Sequence, residues 1–305
     1  MTQQGNGKTM FLFLVLFSFF ELNSCLKIQM NFTELYDNSV RNIHWEEYLK
    51  GTLLPAAEAY LRVLLKPKKA VTLSNGFPLN PISNVGCGKY AVYFDPSYGL
   101  NPKWDADSDF FVLLQIWDQT SVRNASLEKA NMFAISCLRS VDHFRPLGGI
   151  IGINVENLKL PWKSDLEKNE KYAIIQHEKN LYILLHEFMD LFAFTDDHFQ
   201  HFVDQNGIKK NYAPALQQFD NTFWVKVWPF PKHTQYLRDH FNCPIFSAGA
   251  FIDAVNQTQF VNKIYGPEIM NTVEMLNQRI SNFTLTILDD SGWWEVDYTY
   301  ANYFR

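Results

Sequence analysis

The sequence predicts an α+β fold, with an N-terminal part that contains a twisted sheet and a later part that is mostly helical. Two short apolar runs bounded by polar residues, 109–117 and 149–155, predict buried strands. The longer segment 172–194 has apolar residues at three- and four-residue spacing, which predicts an amphipathic helix. Strands that precede helices along a chain are typical of α+β folds.

Further segments have patterns that predict their secondary structure. Alternating apolar and polar residues predict a half-buried strand at 26–33. Helical spacing of apolar residues predicts helices at 45–65, 126–138, 234–240 and 270–288. Pro55 lies inside the first of these helices and must occupy a first turn or a kink. We expect the boundary between the two parts near the loop after Phe194, which gives the ranges 25–195 and 196–305.

Composition and charge exclude some classes of protein. A chain of 305 residues with 47% hydrophobic and 16% aromatic side chains can bury a large core. The net charge of −5 is small, and the sequence contains no block of basic residues. Nothing in the sequence therefore indicates a nucleic-acid-binding surface.

The N-terminus has the layout of a secretory signal peptide. Residues 10–20 are apolar and follow Lys8, and the run is too short to span a bilayer comfortably. We therefore expect residues 1–24 to be removed and the mature chain to be secreted or held at the cell surface. Such a chain can be glycosylated at Asn-x-Ser/Thr sequons. Four asparagines of these sequons are candidate glycosylation sites: Asn31, Asn124, Asn256 and Asn282.

The cysteines that remain after signal removal are odd in number. They are Cys87, Cys137 and Cys243. In an oxidising compartment we expect Cys87 to pair with Cys137, which leaves Cys243 without an assigned partner.

The segment 184–190 contains the strongest candidates for catalytic and metal-binding residues. His186 and Glu187 lie on the apolar helix, and Asp190 follows four residues after the histidine. In zinc proteases, two histidines at this spacing bind Zn²⁺, and the glutamate beside the first activates a metal-bound water. Here Asp190 stands at the second histidine position. A satisfied core histidine beside a salt-bridged glutamate is the alternative, and the pair alone leaves both open.

Six blocks along the chain carry a family resemblance. They are 109–113 (DFFVL), 145–154 (RPLGGIIGIN), 185–194 (LHEFMDLFAF), 240–243 (HFNC), 267–270 (PEIM) and 289–296 (DDSGWWEV). In this order and spacing, from about Leu26 to the end, the chain resembles the leishmanolysin-like zinc metallopeptidases. The resemblance implies a zincin fold of the metzincin type, in which the helix at 172–194 is the active-site helix.

The resemblance also implies roles for single residues. His186 is similar to the first zinc ligand, Glu187 to the general base, and Met270 to the methionine of the turn beneath the metal. Asp190 replaces the second zinc histidine, and counting back from Met270 puts Gln259 at the third. Zinc is thus the implied cofactor, and two of its three histidine ligands are replaced.

These replacements predict weak or absent zinc binding. Glutamine is a poor zinc ligand, and the short side chain of Asp190 would require the helix or the metal to move. The metal lowers the pKa of bound water from 15.7 to about 7, a change that Glu187 alone cannot produce. We therefore expect a copy that is proteolytically inactive or severely impaired.

Two neighbouring groups offer alternative ligands. Asp196 lies ten residues after His186 and could complete a one-histidine, two-carboxylate site, or it could belong to a solvated turn. Ala193 counts against the metal site, because it replaces the family's helix-ending glycine and its β-carbon opposes a left-handed backbone. His198 and His201 stand three apart, and we expect them to be a surface pair.

The resemblance as a whole implies a secreted or cell-surface metalloendopeptidase homologue that acts on peptides or proteins and takes part in cell adhesion. A non-catalytic peptide-binding or adhesion module on the same scaffold is the alternative. A glycan at Asn256 would lie three residues from Gln259, where a substrate groove rarely tolerates such bulk. Relatives continue beyond the 289–296 block, so we expect a truncated copy or an incomplete chain.

Overall fold

A computed structural model of the chain describes residues 26–33, 43–68, 108–117, 130–140, 144–155, 157–161, 163–219, 223–246, 249–254, 259–271 and 277–301. The signal peptide predicted at 1–24 lies outside these ranges. Cys87 does too, so its pairing with Cys137 stays a prediction. Cys243 is half-buried and forms no disulfide with another described residue.

The described chain has a mixed α+β fold built around a four-stranded sheet. The strands are β1 (Ile28–Thr33), β3 (Phe110–Trp117), β4 (Met132–Arg139) and β5 (Pro146–Asn154), in the spatial order β1-β3-β5-β4. β1, β3 and β5 are parallel, whereas β4 is antiparallel to β5. Every side chain of β5 is buried. Burial on both faces explains why β3 and β5 have near-continuous apolar sequences.

The next described segment after β1 is helical. It consists of α1 (Ile43–Tyr48), a π-helical segment (Leu49–Leu53) and α2 (Leu54–Leu64). Pro55 lies in the first turn of α2, as predicted, where its missing N–H costs no hydrogen bond. The strand β2 (Leu65–Pro67) then pairs antiparallel with β9 (Trp294–Val296). This pairing joins the C-terminal block to the N-terminal part.

The long helix α3 (Lys163–Phe192) packs on β4 and β5. Its backbone is non-helical at Asn169, whose side-chain oxygen accepts a hydrogen bond from the Tyr172 N–H at 3.2 Å. Asn169 therefore caps the second segment of the helix. That segment carries the predicted apolar face, with Leu184, Leu185, Phe188, Leu191 and Phe192 all buried.

Close packing between α3 and the sheet depends on Gly149 in β5. A β-carbon at this position would lie 2.4 Å from the carbonyl oxygen of Ile135 and 2.6 Å from Cδ2 of Leu191. Because the Ile135 oxygen belongs to the paired backbone of β4, it cannot move aside easily. We expect Gly149→Ala to reduce the free energy of unfolding by roughly 1–3 kcal/mol, as measured by urea denaturation.

Gly51, in the π-helical segment, provides the matched control. Nothing lies within 4 Å of a β-carbon built there. Gly51→Ala should therefore be neutral or stabilising by about 0.5–1 kcal/mol. Equal losses from the two substitutions would contradict a close approach of α3 at Gly149.

The part of the chain after residue 195 contains a second sheet that the sequence did not predict. Its strands β6 (Ala215–Phe219), β7 (Phe223–Trp228) and β8 (Ala250–Asp253) are antiparallel, in the order β6-β7-β8. The helices of this part are short: α4 (Asp196–Phe199), α5 (Pro231–His240), α6 (Asn262–Tyr265) and α7 (Asn282–Asp290). The prediction that this part is mostly helical is therefore wrong.

Two of the predicted helices also need correction. Residues 132–138 of the predicted helix 126–138 belong to β4, because their backbone pairs with β5 and this pairing overrides the local pattern. Within the described residues of 270–288, the α-helix begins only at Asn282. Ser281 caps it by accepting a hydrogen bond from the Phe283 N–H at 3.1 Å.

One hydrophobic core includes residues from both sides of residue 195. Trp294 is completely buried, and its Nε1 donates to the carbonyl oxygen of Phe192 at 3.1 Å. The guanidinium carbon of Arg145 lies 5.5 Å from the centre of the Trp294 ring. Three of the six sequence blocks therefore meet at the end of α3, and the division at residue 195 stays a prediction. No helix among the described residues is long and apolar enough to cross a membrane.

Candidate functional site

The ring of His186, on α3, has hydrogen-bonding groups at both of its nitrogens. Nδ1 lies 2.7 Å from the carbonyl oxygen of Ile269. A carbonyl oxygen only accepts, so Nδ1 carries a proton, and in the neutral ring the lone pair is on Nε2. This is the tautomer that binds a metal through Nε2. Ile269 precedes Met270, which is fully buried, so the turn at this methionine orients the histidine.

The lone pair of His186 faces Gln259. The two Nε2 atoms are 3.1 Å apart, so the amide of Gln259 donates an N–H to the position where a metal ion would bind. Two backbone hydrogen bonds fix the segment that carries Gln259. Its carbonyl oxygen accepts from the Asp253 N–H at 2.8 Å, and the Phe260 N–H donates to the carbonyl oxygen of Met270 at 2.6 Å.

Asp190 lies close to the same atom of His186. Its Oδ2 is 3.7 Å from Nε2 of His186, which is beyond hydrogen-bonding distance. Its Oδ1 is buried and has no hydrogen-bond partner within the described residues. Burial raises the pKa of Asp190 well above its usual range, and the neighbouring Glu187 carboxylate adds to this shift. Both effects disfavour the charged carboxylate, which is the form that binds a metal.

His186, Asp190 and Gln259 together form what we call the residual site, and its donor set fits zinc poorly. Catalytic zinc normally has three strong protein ligands. The residual site offers one histidine, one carboxyl group whose charged form is disfavoured by burial, and one amide that directs an N–H at the histidine. Within the described ranges, no group of three or more His, Cys, Asp or Glu side chains is arranged to share a metal ion.

Asp196 is bound elsewhere. This residue of α4 forms an ion pair with Lys226 of β7. The side chain of Asp196 is half-buried, whereas that of Asp197 is 67% exposed, so the solvated-turn interpretation holds only for Asp197. The ion pair uses Oδ2 of the carboxylate that the one-histidine, two-carboxylate site would have required, whereas Oδ1 is buried without a hydrogen-bond partner among the described residues.

The helix ends at Phe192, and Ala193 follows it without the backbone reversal that the family resemblance implied. The backbone of Ala193 does not have a positive φ. The N–H groups of Ala193 and Phe194 both donate to the carbonyl oxygen of Met189, at 3.0 and 3.1 Å. Because Ala193 is not left-handed, its β-carbon does not oppose this helix end.

The prediction that His198 and His201 form a surface pair is wrong. His198 is completely buried, and its Nε2 lies 2.9 Å from the Ser136 hydroxyl oxygen. Burial lowers the pKa of His198 to about 3, which keeps the ring neutral. His201 is half-buried, and its Nδ1 donates to the Asp197 carbonyl oxygen at 2.6 Å. The strand β4 supplies Ser136 from far along the chain, so local spacing could not reveal this burial.

Two of the candidate glycosylation sites lie in described elements. Asn31 is in β1, and Asn282 is the first residue of α7, where it is half-buried. Thr284, the third residue of the Asn282 sequon, is completely buried. Asn124 and Asn256 lie outside the described residues, and glycosylation stays a prediction at all four sites.

Glu268 is a buried carboxyl group that the sequence analysis missed. It precedes Ile269, whose carbonyl oxygen binds His186. Its Oε1 accepts hydrogen bonds from the Ser281 N–H at 3.2 Å and from the Thr284 hydroxyl, whereas Oε2 has no hydrogen-bond partner within the described residues. Burial raises the pKa of Glu268 to about 7. Glu268 lies in the 267–270 block, but the resemblance assigned a role there only to Met270.

Glu268 makes the stability of the chain depend on pH. Its pKa is higher in the folded state than its ordinary value, so the folded state binds more protons between about pH 4.5 and 7. Stability from this group therefore falls as the pH rises through that window. We expect Glu268→Gln to stabilise the chain at pH 8 by roughly 2–3 kcal/mol and to have little effect at pH 5. Thermal denaturation at both pH values measures this difference.

The exposed Glu295 gives a matched control for the same chemical change. Glu295→Gln makes this change on the surface and should alter the free energy of unfolding by no more than about 0.5 kcal/mol. A gain from Glu268→Gln that is as large at pH 5 as at pH 8 would contradict the raised pKa.

A cavity of about 410 Å³ runs along α3. Its lining includes Leu185, which directly precedes His186. The other lining residues come from α2, from the preceding turns of α3 and from the chain after the Met270 turn: Tyr60, Glu178, Leu181, Tyr182, Asn277, Gln278 and Arg279. The cavity therefore has both apolar and charged walls.

No protein-family model matches this chain, and no curated protein matches it at a significant level.

Proposed function

We propose that this protein is a homologue of the leishmanolysin-like zinc metalloendopeptidases, with a metzincin-like fold, in which peptide hydrolysis is severely impaired. On this proposal the residual site descends from a zinc site, and an internal hydrogen bond has taken the place of the metal. The signal-peptide layout and the sequons of the sequence support a secreted or cell-surface glycoprotein.

The contact between Gln259 and His186 carries the proposal. The family resemblance assigned Gln259 to the third ligand position only by its distance in sequence from Met270. Its amide lies 3.1 Å from Nε2 of His186, although the two residues are 73 positions apart. Asp190, at the second ligand position, lies 3.7 Å from the same nitrogen. Two assigned positions thus lie beside one atom of the third, which supports a common origin with zinc proteases.

The chemistry of the residual site supports impaired hydrolysis. Peptide cleavage by a zinc protease needs a water whose pKa the metal has lowered to about 7. Glu187, only 7% exposed, can accept a proton from such a water, but without a metal the water keeps its pKa of 15.7. The hydrogen bond from Gln259 competes directly with metal binding at His186.

A hydrolysis assay tests this proposal. The secreted chain is incubated with a casein-type substrate and Zn²⁺, with and without a chelator, beside the Glu187→Ala variant. We expect no cleavage above the level of Glu187→Ala. Chelator-sensitive cleavage that Glu187→Ala abolishes would contradict the proposal and make the protein an active peptidase.

A non-catalytic peptide-binding or adhesion module is the second candidate function. The cavity beside His186 favours it, because about 410 Å³ lies within the range of ~300–1,000 Å³ that is common for small-ligand sites. In this case the protein would hold a peptide without cutting it. Binding of a labelled mixture of 10-residue peptides, with no change in their masses after incubation, is the expected result. Recovery of cleaved peptides would contradict it.

A further inference from the structure

The strand β6 forms an open edge of the second sheet. Among the described residues it pairs only with β7, and β8 lies on the far side of β7. Residues 213–218 are all exposed. An open edge presents unpaired backbone N–H and C=O groups, and natural proteins commonly protect such edges with charged side chains. β6 has the sequence ALQQF, so this protection is missing.

The backbone groups at this open edge belong to Leu216 and Gln218. In β7, the carbonyl oxygen of Trp224 accepts from the N–H of the residue after β8 at 3.3 Å, so Trp224 is turned toward β8. The two sides alternate along an antiparallel strand, so the next residue, Val225, is turned toward β6, where its partner is Gln217. The N–H and C=O groups on either side of Gln217 therefore point away from β7.

Exposed apolar side chains lie beside this edge. Leu216 is 59% exposed, and Trp224, which is opposite Gln218, is 52% exposed. Residues two apart share one face of a strand, so Leu216 and Trp224 are diagonal neighbours on one face of the sheet. Lys226 lies opposite Leu216 on this face and forms an ion pair with Asp196. The face therefore offers apolar surface, and the cation beside it is neutralised.

We propose that β6 pairs antiparallel with β6 of a second copy of this chain, about a two-fold axis at Gln217. In this register Leu216 of each copy lies opposite Gln218 of the other, so the outward N–H and C=O groups of both residues are satisfied. A two-fold interface needs a patch that complements itself, and an uncharged strand brings no like charges together. Leu216 and Trp224 of both copies then form one apolar strip across the axis.

Pro214 and the length of the strand favour this register. Pro214 has no N–H, so an axis at Leu216 would place it opposite Gln218 and leave the Gln218 carbonyl oxygen without a donor. An axis at Gln218 would pair Leu216 with a residue beyond Phe219, where β6 ends. Only the axis at Gln217 pairs the outward groups of Leu216 and Gln218 with each other.

Sedimentation equilibrium of the purified chain tests the inference. One short pair of strands buries less than about 1,200 Å², the area of weak complexes, so we expect a dimer with a dissociation constant of about 10–100 μM. Leu216→Glu should weaken it at least about tenfold, because apolar surface is lost and two carboxylates approach the axis. The new carboxylate would lie opposite Lys226, so circular dichroism should show a folded chain. Ile245→Glu, at a position 88% exposed outside β6, should leave dimerisation unchanged.

A mixture of two variants tests the register. Gln218→Lys alone should also weaken the dimer, because two cations then approach the axis. When Leu216→Glu and Gln218→Lys are mixed, the introduced carboxylate of one copy lies opposite the introduced ammonium group of the other. The mixture should therefore dimerise about three- to tenfold more tightly than either variant alone.

Three results would overturn the inference. The first is a natural chain that stays monomeric at about 1 mM, well above the expected dissociation constant. The second is a dimer that Ile245→Glu weakens and Leu216→Glu does not. The third is a mixture of Leu216→Glu and Gln218→Lys that dimerises no better than its components. None of these results bears on peptide hydrolysis, so the proposed function is tested separately.

Discussion

The double substitution Asp190→His with Gln259→His is expected to create a zinc site that holds one ion per chain. The two positions converge on Nε2 of His186, at 3.7 and 3.1 Å, and the Ile269 carbonyl already fixes the metal-binding tautomer of that ring. Three histidines at these positions would supply the strong ligand set that the natural chain lacks. Zinc at a hundred times its dissociation constant should then stabilise the double variant by about 2.7 kcal/mol. Thermal denaturation with and without Zn²⁺ measures the gain.

The single variants Asp190→His and Gln259→His are the matched controls. Each has only two histidines at the residual site, so each should bind zinc far more weakly than the double variant. The natural chain should show no zinc-dependent stabilisation. A double variant that folds but gains nothing from zinc would contradict the convergence of these positions around one metal.

Trp294→Ala is expected to cost about 3–5 kcal/mol of the free energy of unfolding. The side chain is completely buried, its ring centre lies 5.0 Å from that of Phe192, and its Nε1 donates to the Phe192 carbonyl oxygen. The substitution leaves a large cavity and removes the hydrogen bond at the end of α3. It also leaves the guanidinium of Arg145 without the ring over which it lies. Urea denaturation followed by circular dichroism measures the loss.

Trp224 is the control for Trp294. It lies on β7 with 52% of its surface exposed, so the same change of residue type removes much less buried area. We expect Trp224→Ala to cost no more than about 0.5 kcal/mol. Similar losses at the two positions would contradict the docking of the C-terminal block on α3.

The elements that could be predicted from sequence are those whose burial is uniform along the element. β3 and β5 lie inside the sheet, so their apolar runs identify them, and α3 buries one face over many turns. The helix α5 (Pro231–His240) was predicted over 234–240, so only its first turn was missed. In each case the local pattern and the tertiary environment agree.

The elements that were missed depend on distant partners. β4 is a strand because it pairs with β5, and β7 is a strand because β6 and β8 flank it. Local periodicity does not contain that information. For the same reason His198 was expected at the surface, although Ser136 and Trp293 enclose it from two other parts of the chain.

The candidate site was predicted more closely than the second sheet. Counting from Met270 assigned Gln259, and Gln259 is the residue that contacts His186. Sequence could not show that its amide would bond the histidine lone pair. Nor could it show that Lys226 would bind Asp196, because the side chain of Lys226 comes from the unpredicted strand β7.

Elemental analysis of the purified, natural chain tests most directly whether Gln259 has taken the place of a metal at His186. The protein is incubated with excess Zn²⁺, freed of unbound metal by gel filtration and analysed beside the His186→Ala variant. Our account predicts far less than one zinc ion per chain, with no difference between the two proteins. One zinc ion per natural chain that is lost in His186→Ala would contradict it.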